Sequence, residues 1–149
     1  MRDLAEELRS EIDSSYARLR TFNEGGAVER RAAGTWTRKE ILGHLIDSAT
    51  NNHQRFVRAQ FADPFTWPGY EQNEWVLVNA YGDRTWVELL DLWAAMNRHL
   101  AHVIEHVPVS KLGTRCVIGT GDAVTLEWLM RDYLDHMRHH LAQIVASTL

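Results

Sequence analysis

Apolar residues recur at helical spacing in four long segments, and this pattern constrains the fold more than any other feature of the chain. Steps of three and four residues place the apolar side chains of each segment on one helix face. Such helices gain most of their stability by packing these faces together. The segments run from about Leu4 to Leu19, from Thr37 to about Phe61, from about Thr85 to Val107, and from Leu126 nearly to the C-terminus. The sequence therefore predicts an all-α four-helix bundle, with residues 1–149 forming one domain.

Local signals mark where these helices begin and end. Thr37 is followed three residues later by Glu40, and Thr85 is followed in the same way by Glu88. In this capping-box pattern the threonine hydroxyl accepts a hydrogen bond from the glutamate N–H, and the carboxylate accepts one from the threonine N–H. Pro108 cannot continue a helix, so the third helix should end before it.

The two longer connections differ in character. Residues 63–81, between the second and third helices, contain two prolines and the tryptophans Trp67 and Trp75. This composition predicts an ordered crossover with a short helix around residues 71–79. Residues 112–124 contain short β-prone runs on either side of a glycine-rich turn, which predicts a small hairpin before the fourth helix.

Charge and cysteine content exclude several classes of function. Lysine and arginine total 16 against 20 aspartate and glutamate residues, the net charge is -4, and no basic run offers a surface for phosphates. We therefore expect no nucleic-acid partner. Cys116 is the only cysteine, which excludes an internal disulfide and a cysteine-based zinc site, and we expect its thiol to be inert. No apolar stretch approaches the roughly 20 residues of a membrane span, so we expect a cytoplasmic protein with no membrane partner.

Histidines in the second and fourth helices are the main candidates for chemistry. His136 and His140 are four residues apart, so both imidazoles lie on one helix face. His44 from the second helix would complete a set of three ligands, and three protein ligands leave a coordination position open, as in catalytic metal sites. Asp47 and Asp132 are expected to accept hydrogen bonds from the imidazole N–H groups.

The histidines of this chain also allow two alternative roles. The segment from His102 to His106 matches the H-x-x-E-H motif of inverted zinc proteases. These residues lie one step off the apolar stripe of the third helix, however, which is typical of a solvated face. Alternatively, a structural homodimer would bury the histidine faces without metal, and a homodimer is in any case the expected assembly of such a bundle.

The chain resembles the DinB and YfiT-like superfamily of bacterial four-helix-bundle proteins, and the resemblance spans nearly its whole length. Its most specific element combines His-Leu-x-Asp-Ser in the second helix with His-x-x-x-His followed by Gln-Ile in the fourth. The resemblance implies that the family's three metal-binding histidines correspond to His44, His136 and His140. The matching pieces are residues 34–49, residues 51–56, Pro68 to Tyr70 with Trp75, and Asp132 to Ile144.

The resemblance also implies a class of function. Relatives depend on zinc, nickel or a similar divalent metal ion, and they include thiol S-transferases and a mycothiol-dependent isomerase. We therefore expect a metal-dependent transferase or hydrolase whose open metal position takes water, a low-molecular-weight thiol cosubstrate or a small-molecule substrate. Asn51, Arg55 and Tyr70 are the candidates for orienting an anionic substrate, although Arg55 could instead form a salt bridge to the crossover. A non-catalytic metal-binding or sensing module is the alternative.

Overall fold

The computed structural model describes residues 1–146, so the last three residues of the expected 1–149 domain lie outside the described part. Two short 3-10 helices, Tyr81–Asp83 and Val109–Lys111, flank the third long helix. The other elements are α1 (Arg2–Leu19), α2 (Glu24–Ala27), α3 (Arg38–Arg58), β1 (Phe65–Trp67), α4 (Gln72–Val78), α5 (Trp86–Glu105), β2 (Arg115–Ile118), β3 (Val124–Thr125) and α6 (Leu126–Val145).

The four long helices surround one apolar core in the order α1, α5, α3, α6, and α6 closes the ring against α1. The expected four-helix bundle is therefore confirmed. Consecutive long helices α1 and α3 face each other diagonally, as do α5 and α6, so the connections must cross an end of the bundle. The core includes three fully buried aromatic side chains, Trp86, Trp93 and Phe56. The same order makes α3 and α6 direct neighbours.

Both predicted capping boxes are present. Thr37 Oγ1 accepts from the N–H of Glu40 at 3.1 Å, and Glu40 Oε2 accepts from the N–H of Thr37 at 2.7 Å. Thr85 and Glu88 make the same reciprocal pair at the start of α5. The second long helix, α3, is shorter than predicted. It ends at Arg58, and Phe61 lies beyond it with 84% of its surface exposed.

A small three-stranded sheet lies beside the bundle. The hairpin expected before the fourth helix is formed by β2 and β3, which pair antiparallel with Cys116 opposite Val124. β1, from the crossover, adds a parallel strand that places Phe65 opposite Cys116. The predicted short helix of the crossover is α4. The sheet therefore fixes the crossover to the segment before α6.

Among the helices of residues 1–146, none has both the length and the apolar character of a membrane span.

Candidate metal centre

The packing of α3 against α6 brings the three predicted histidines together. His44 lies in the second turn of α3 and is buried, whereas His136 and His140 lie one turn apart on α6 and are half-buried. One ligand atom from each of the three lies within 4.8 Å of the others. We refer to these residues as the candidate metal centre.

The separation of the nitrogens suits a shared ion. His44 Nε2 lies 3.2 Å from His136 Nε2. Two nitrogens bound tetrahedrally at about 2.0–2.1 Å from one zinc ion are about 3.3 Å apart. The His140 ring centroid lies 4.6 Å from each of the other two centroids. The donor set therefore fits a small divalent ion that prefers imidazole ligands.

Electrostatics keep these imidazoles in the form that binds metals. Burial, with the neighbouring His140 and His136, lowers the pKa of His44 to about 3. Burial, together with His140 and His139, lowers the pKa of His136 to about 4, and burial also lowers the pKa of His140. All three rings are therefore neutral near pH 7, and a neutral imidazole nitrogen offers a lone pair to a cation.

Hydrogen bonds orient one of the three rings. His140 Nδ1 lies 3.0 Å from Gln143 Oε1, and because an amide oxygen can only accept, Nδ1 carries the hydrogen and Nε2 keeps its lone pair. Gln143 Nε2 donates in turn to His139 Nε2 at 2.9 Å. The buried Nδ1 of His44 has no protein partner within residues 1–146, and the Trp36 ring lies 5.2 Å from the His44 ring.

The two aspartates expected to support the histidines do not contact them through hydrogen bonds. Asp47 Oδ1 accepts from the hydroxyl of Tyr81 at 2.5 Å and from Nδ2 of Asn79 at 3.0 Å. Both donors belong to the crossover, so the Asp47 carboxylate is engaged there rather than with His44. Asp132 is exposed, and Gln143 is the side chain that supports His140.

A cavity of about 200 Å³ lies next to the candidate metal centre, and His44 and His136 form part of its wall. Arg55 and Tyr70, both expected near the substrate, line this cavity. The other lining residues are Ser48, Asn52, Gln72, Leu129, Asp132 and Tyr133. Burial raises the pKa of Tyr70 to about 12, so its hydroxyl is protonated and can donate a hydrogen bond at neutral pH.

Asn51 does not line this cavity. Its Nδ2 donates to the backbone oxygen of Asp47 at 2.9 Å, and its side chain borders a separate groove along the crossover. The cavity receives Asn52 instead. Residue 51 lies about 20° from His44 around the helix on one side and residue 52 about 80° on the other, and it is the side of residue 52 that borders the cavity.

Arg55 is the cation of the cavity and has no ion-pair partner within residues 1–146. Its Nη1 lies 3.4 Å from Asn52 Oδ1, and its buried Nε has no hydrogen-bond partner in the described chain. Burial lowers the pKa of its guanidinium. The salt bridge to the crossover that was an alternative role for Arg55 is not formed among these residues.

The H-x-x-E-H segment of α5 does not form a second cluster of this kind. His102 and His106 are exposed, and His106 Nδ1 donates to the backbone oxygen of His102 at 2.8 Å. Glu105 pairs with Arg9 at 2.6 Å. Within residues 1–146, the candidate metal centre is the one group of three potential metal ligands. Cys116 is buried, and burial raises the pKa of its thiol to about 11, so it is protonated near neutral pH.

The sequence matches the DinB superfamily over residues 7–144. This chain belongs to the DinB superfamily. Its fold is similar to that of YfiT from Bacillus subtilis, described as a probable metal-dependent hydrolase with an unusual four-helix bundle topology. That similarity has a TM-score of 0.82 at 18% identity, over 96% of this chain and 83% of YfiT.

A second structure with a similar fold is the mycothiol-dependent maleylpyruvate isomerase, with a TM-score of 0.77 and 14% identity. The match covers 98% of this chain but 61% of the isomerase, so the isomerase has a large part with no counterpart here. No curated protein matches the sequence. At these identities the two structures establish a shared fold for this DinB superfamily member.

Proposed function

We propose that this protein is a metal-dependent enzyme that acts on a small anionic substrate. The proposal depends chiefly on one observation: the candidate metal centre adjoins a cavity whose only described cationic side chain, Arg55, has no ion-pair partner in residues 1–146. A desolvated, unpaired cation destabilises a fold, so a charge of this kind suggests a ligand.

His44, His136 and His140 would hold a zinc, nickel or similar ion. Three neutral imidazoles and no carboxylate leave the ion its full positive charge and at least one open position. When bound, such an ion supplies Lewis-acid activation of a water or a low-molecular-weight thiol at neutral pH.

Arg55 would bind the carboxylate or phosphate of the substrate. Its guanidinium presents a planar set of donors, and the unpartnered Nε is one of them. The protonated Tyr70 hydroxyl lies on the same cavity wall and can donate to the same anion. Asn52 Oδ1 lies near Nη1 of Arg55, so Asn52 limits the orientations of the Arg55 guanidinium. These groups position the substrate between the arginine and the histidines.

The cavity volume of about 200 Å³ limits the part of the substrate held there to a small group. Ligand pockets for drug-sized molecules are about 300–1,000 Å³. The reaction class that fits is hydrolysis of a small carboxylate-bearing substrate or transfer of a thiol to one. A binding or sensing module with the same ion would retain the metal but show no turnover.

Reconstitution of chelator-treated protein tests the proposal. Zinc or nickel is restored, and turnover is assayed on carboxylate-bearing aryl esters and on electrophiles with a low-molecular-weight thiol. We expect turnover that requires the ion, disappears in His136→Ala and is retained in His106→Ala, because His106 is exposed on α5. Equal turnover in metal-free protein would contradict the proposal, and metal binding without turnover across the panel would favour the binding module.

A further inference from the structure

A second pair of histidines meets on the outside of the bundle, where α3 packs against α5. His53 of α3 is half-buried and His99 of α5 is exposed. Their Nε2 atoms lie 3.2 Å apart, the same separation as between His44 and His136. The ring centroids are 5.0 Å apart. His53 lies nine residues after His44, about 13 Å further along the helix, so this pair is separate from the candidate metal centre.

The protein surroundings do not explain why these two imidazoles meet. Neither ring has a carboxylate within ion-pair distance among residues 1–146. Burial and the nearby His99 lower the pKa of His53, so this ring disfavours a proton. A hydrogen bond between two imidazoles at the protein surface competes with water and adds little stability. A cation that accepts both lone pairs satisfies the two nitrogens that face each other.

The two helices hold the pair in place. α3 and α5 are neighbours in the bundle and pack along much of their length. Apolar residues of both helices, including Ala49, Phe56, Trp93 and Leu100, belong to the core. The backbone on both sides of the histidine pair is therefore fixed before any ion arrives, which lowers the entropy cost of binding.

We propose that His53 and His99 form a second metal site, a two-histidine clamp for a divalent transition-metal ion across the α3–α5 contact. Imidazole ligands favour zinc, nickel and copper over magnesium or calcium. With two protein ligands, water fills the remaining positions, so the site binds more weakly and exchanges more readily than a three-histidine site. An ion here links α3 to α5 and stabilises the folded state. The site is independent of the proposed function.

Zinc binding to tag-free protein tests the clamp. Equilibrium dialysis at micromolar free zinc should show about one more equivalent on wild type than on His53→Gln or His99→Gln. In a His136→Ala background, which removes a ligand of the candidate metal centre, zinc at a hundredfold excess over its Kd should raise the Tm by roughly 5–10 °C. Adding either glutamine substitution should abolish that rise, since a clamp needs both rings.

The matched control is the double variant His102→Gln with His106→Gln. It removes two other exposed imidazoles from α5, whose ring centroids are 4.3 Å apart. This variant should keep the extra equivalent and the Tm rise. Loss of either in the control would assign the zinc to the pair on α5 and overturn the clamp. An extra equivalent that survives in His99→Gln, or is absent from wild type, would overturn it as well.

Discussion

Arg55 is the residue whose environment is hardest to explain by stability alone. Its guanidinium is partly desolvated and has a single long hydrogen bond, to Asn52. A fold selected for stability alone would place an apolar side chain there. The position is consistent with a group held ready for an anionic ligand, and this makes Arg55 the most informative residue to replace outside the candidate metal centre.

Replacing Arg55 with methionine should raise the free energy of unfolding by about 1 kcal/mol, because it removes an incompletely paired polar group. Affinity for acetate or phosphate should fall by roughly 10- to 100-fold, because a charge-assisted contact with the anion is lost. Chemical denaturation and chemical-shift titration measure the two effects. Arg58→Met is the control, because Arg58 is exposed on the same helix and bonds Gln54. Lower stability with unchanged anion affinity would indicate a structural role for Arg55.

Asp47 gives a pH prediction at the residue scale. Burial raises its pKa to about 6, whereas the hydrogen bond from Tyr81 opposes that rise. Tyr81→Phe should therefore raise the Asp47 pKa above 6, as followed by carboxyl carbon chemical shifts. The control Tyr16→Phe removes a similar bond to the exposed Asp91 and should leave Asp47 unchanged. A lower Asp47 pKa in Tyr81→Phe would contradict the assigned hydrogen bond.

The direction of the Asp47 pKa shift determines how this group's contribution to folding stability changes with pH. Its pKa in the fold lies above the unfolded value of about 3.9, so the folded state binds the proton more tightly. The stability that this group contributes is fully present below about pH 3.9 and is lost as pH rises through about 6. Above that range the buried carboxylate, with its unpartnered Oδ2, opposes folding.

At the scale of elements, the contact of α3 with the 3-10 helix Tyr81–Asp83 depends on a glycine. A Cβ atom on Gly43 would lie 2.1 Å from Cδ2 of the Tyr81 ring. Gly43→Ala should therefore lower the free energy of unfolding by on the order of 1–3 kcal/mol, although alanine is the better helix former. Urea denaturation measures the change.

Two further variants separate crowding from helix propensity. Gly82→Ala is the matched control, because no atom lies within 4 Å of a Cβ at that position. The cost of Gly43→Ala should shrink when Tyr81 is also alanine, which a double-mutant cycle would show as coupling. Additive costs in that cycle would contradict the predicted clash.

Features that depend on a few neighbouring residues could be predicted from the sequence. Thr37 and Thr85 each satisfy the capping box locally, so both helix starts were predicted correctly. β1 could not be predicted, because Phe65–Trp67 is only three residues long and its parallel partner lies about fifty residues later. The end of α3 at Arg58 was also missed, since the apolar Phe61 continues the sequence pattern but points into solvent.

At the scale of the whole molecule, the candidate metal centre depends on the order of helices around the bundle. His44 and His136 are 92 residues apart in sequence and meet because α3 and α6 are neighbours. Periodicity alone predicts four amphipathic helices but not which of them touch. The pairing of the second helix with the fourth was inferred from their histidines and from the family resemblance. For the same reason the sequence suggested Asn51 near the substrate, whereas Asn52 lines the cavity in the structure. The side of α3 that borders the cavity depends on the order of the helices. The expected homodimer stays a prediction.

The most direct test of the metal centre is the metal content of tag-free protein after exhaustive dialysis, which removes weakly held ions. Plasma mass spectrometry should find close to one divalent ion per chain in wild type and in the control His102→Ala. His44→Ala should contain none while still unfolding cooperatively, because its partners His136 and His140 alone leave the site incomplete. No metal in wild type even after reconstitution, or undiminished metal in His44→Ala, would contradict a three-histidine centre.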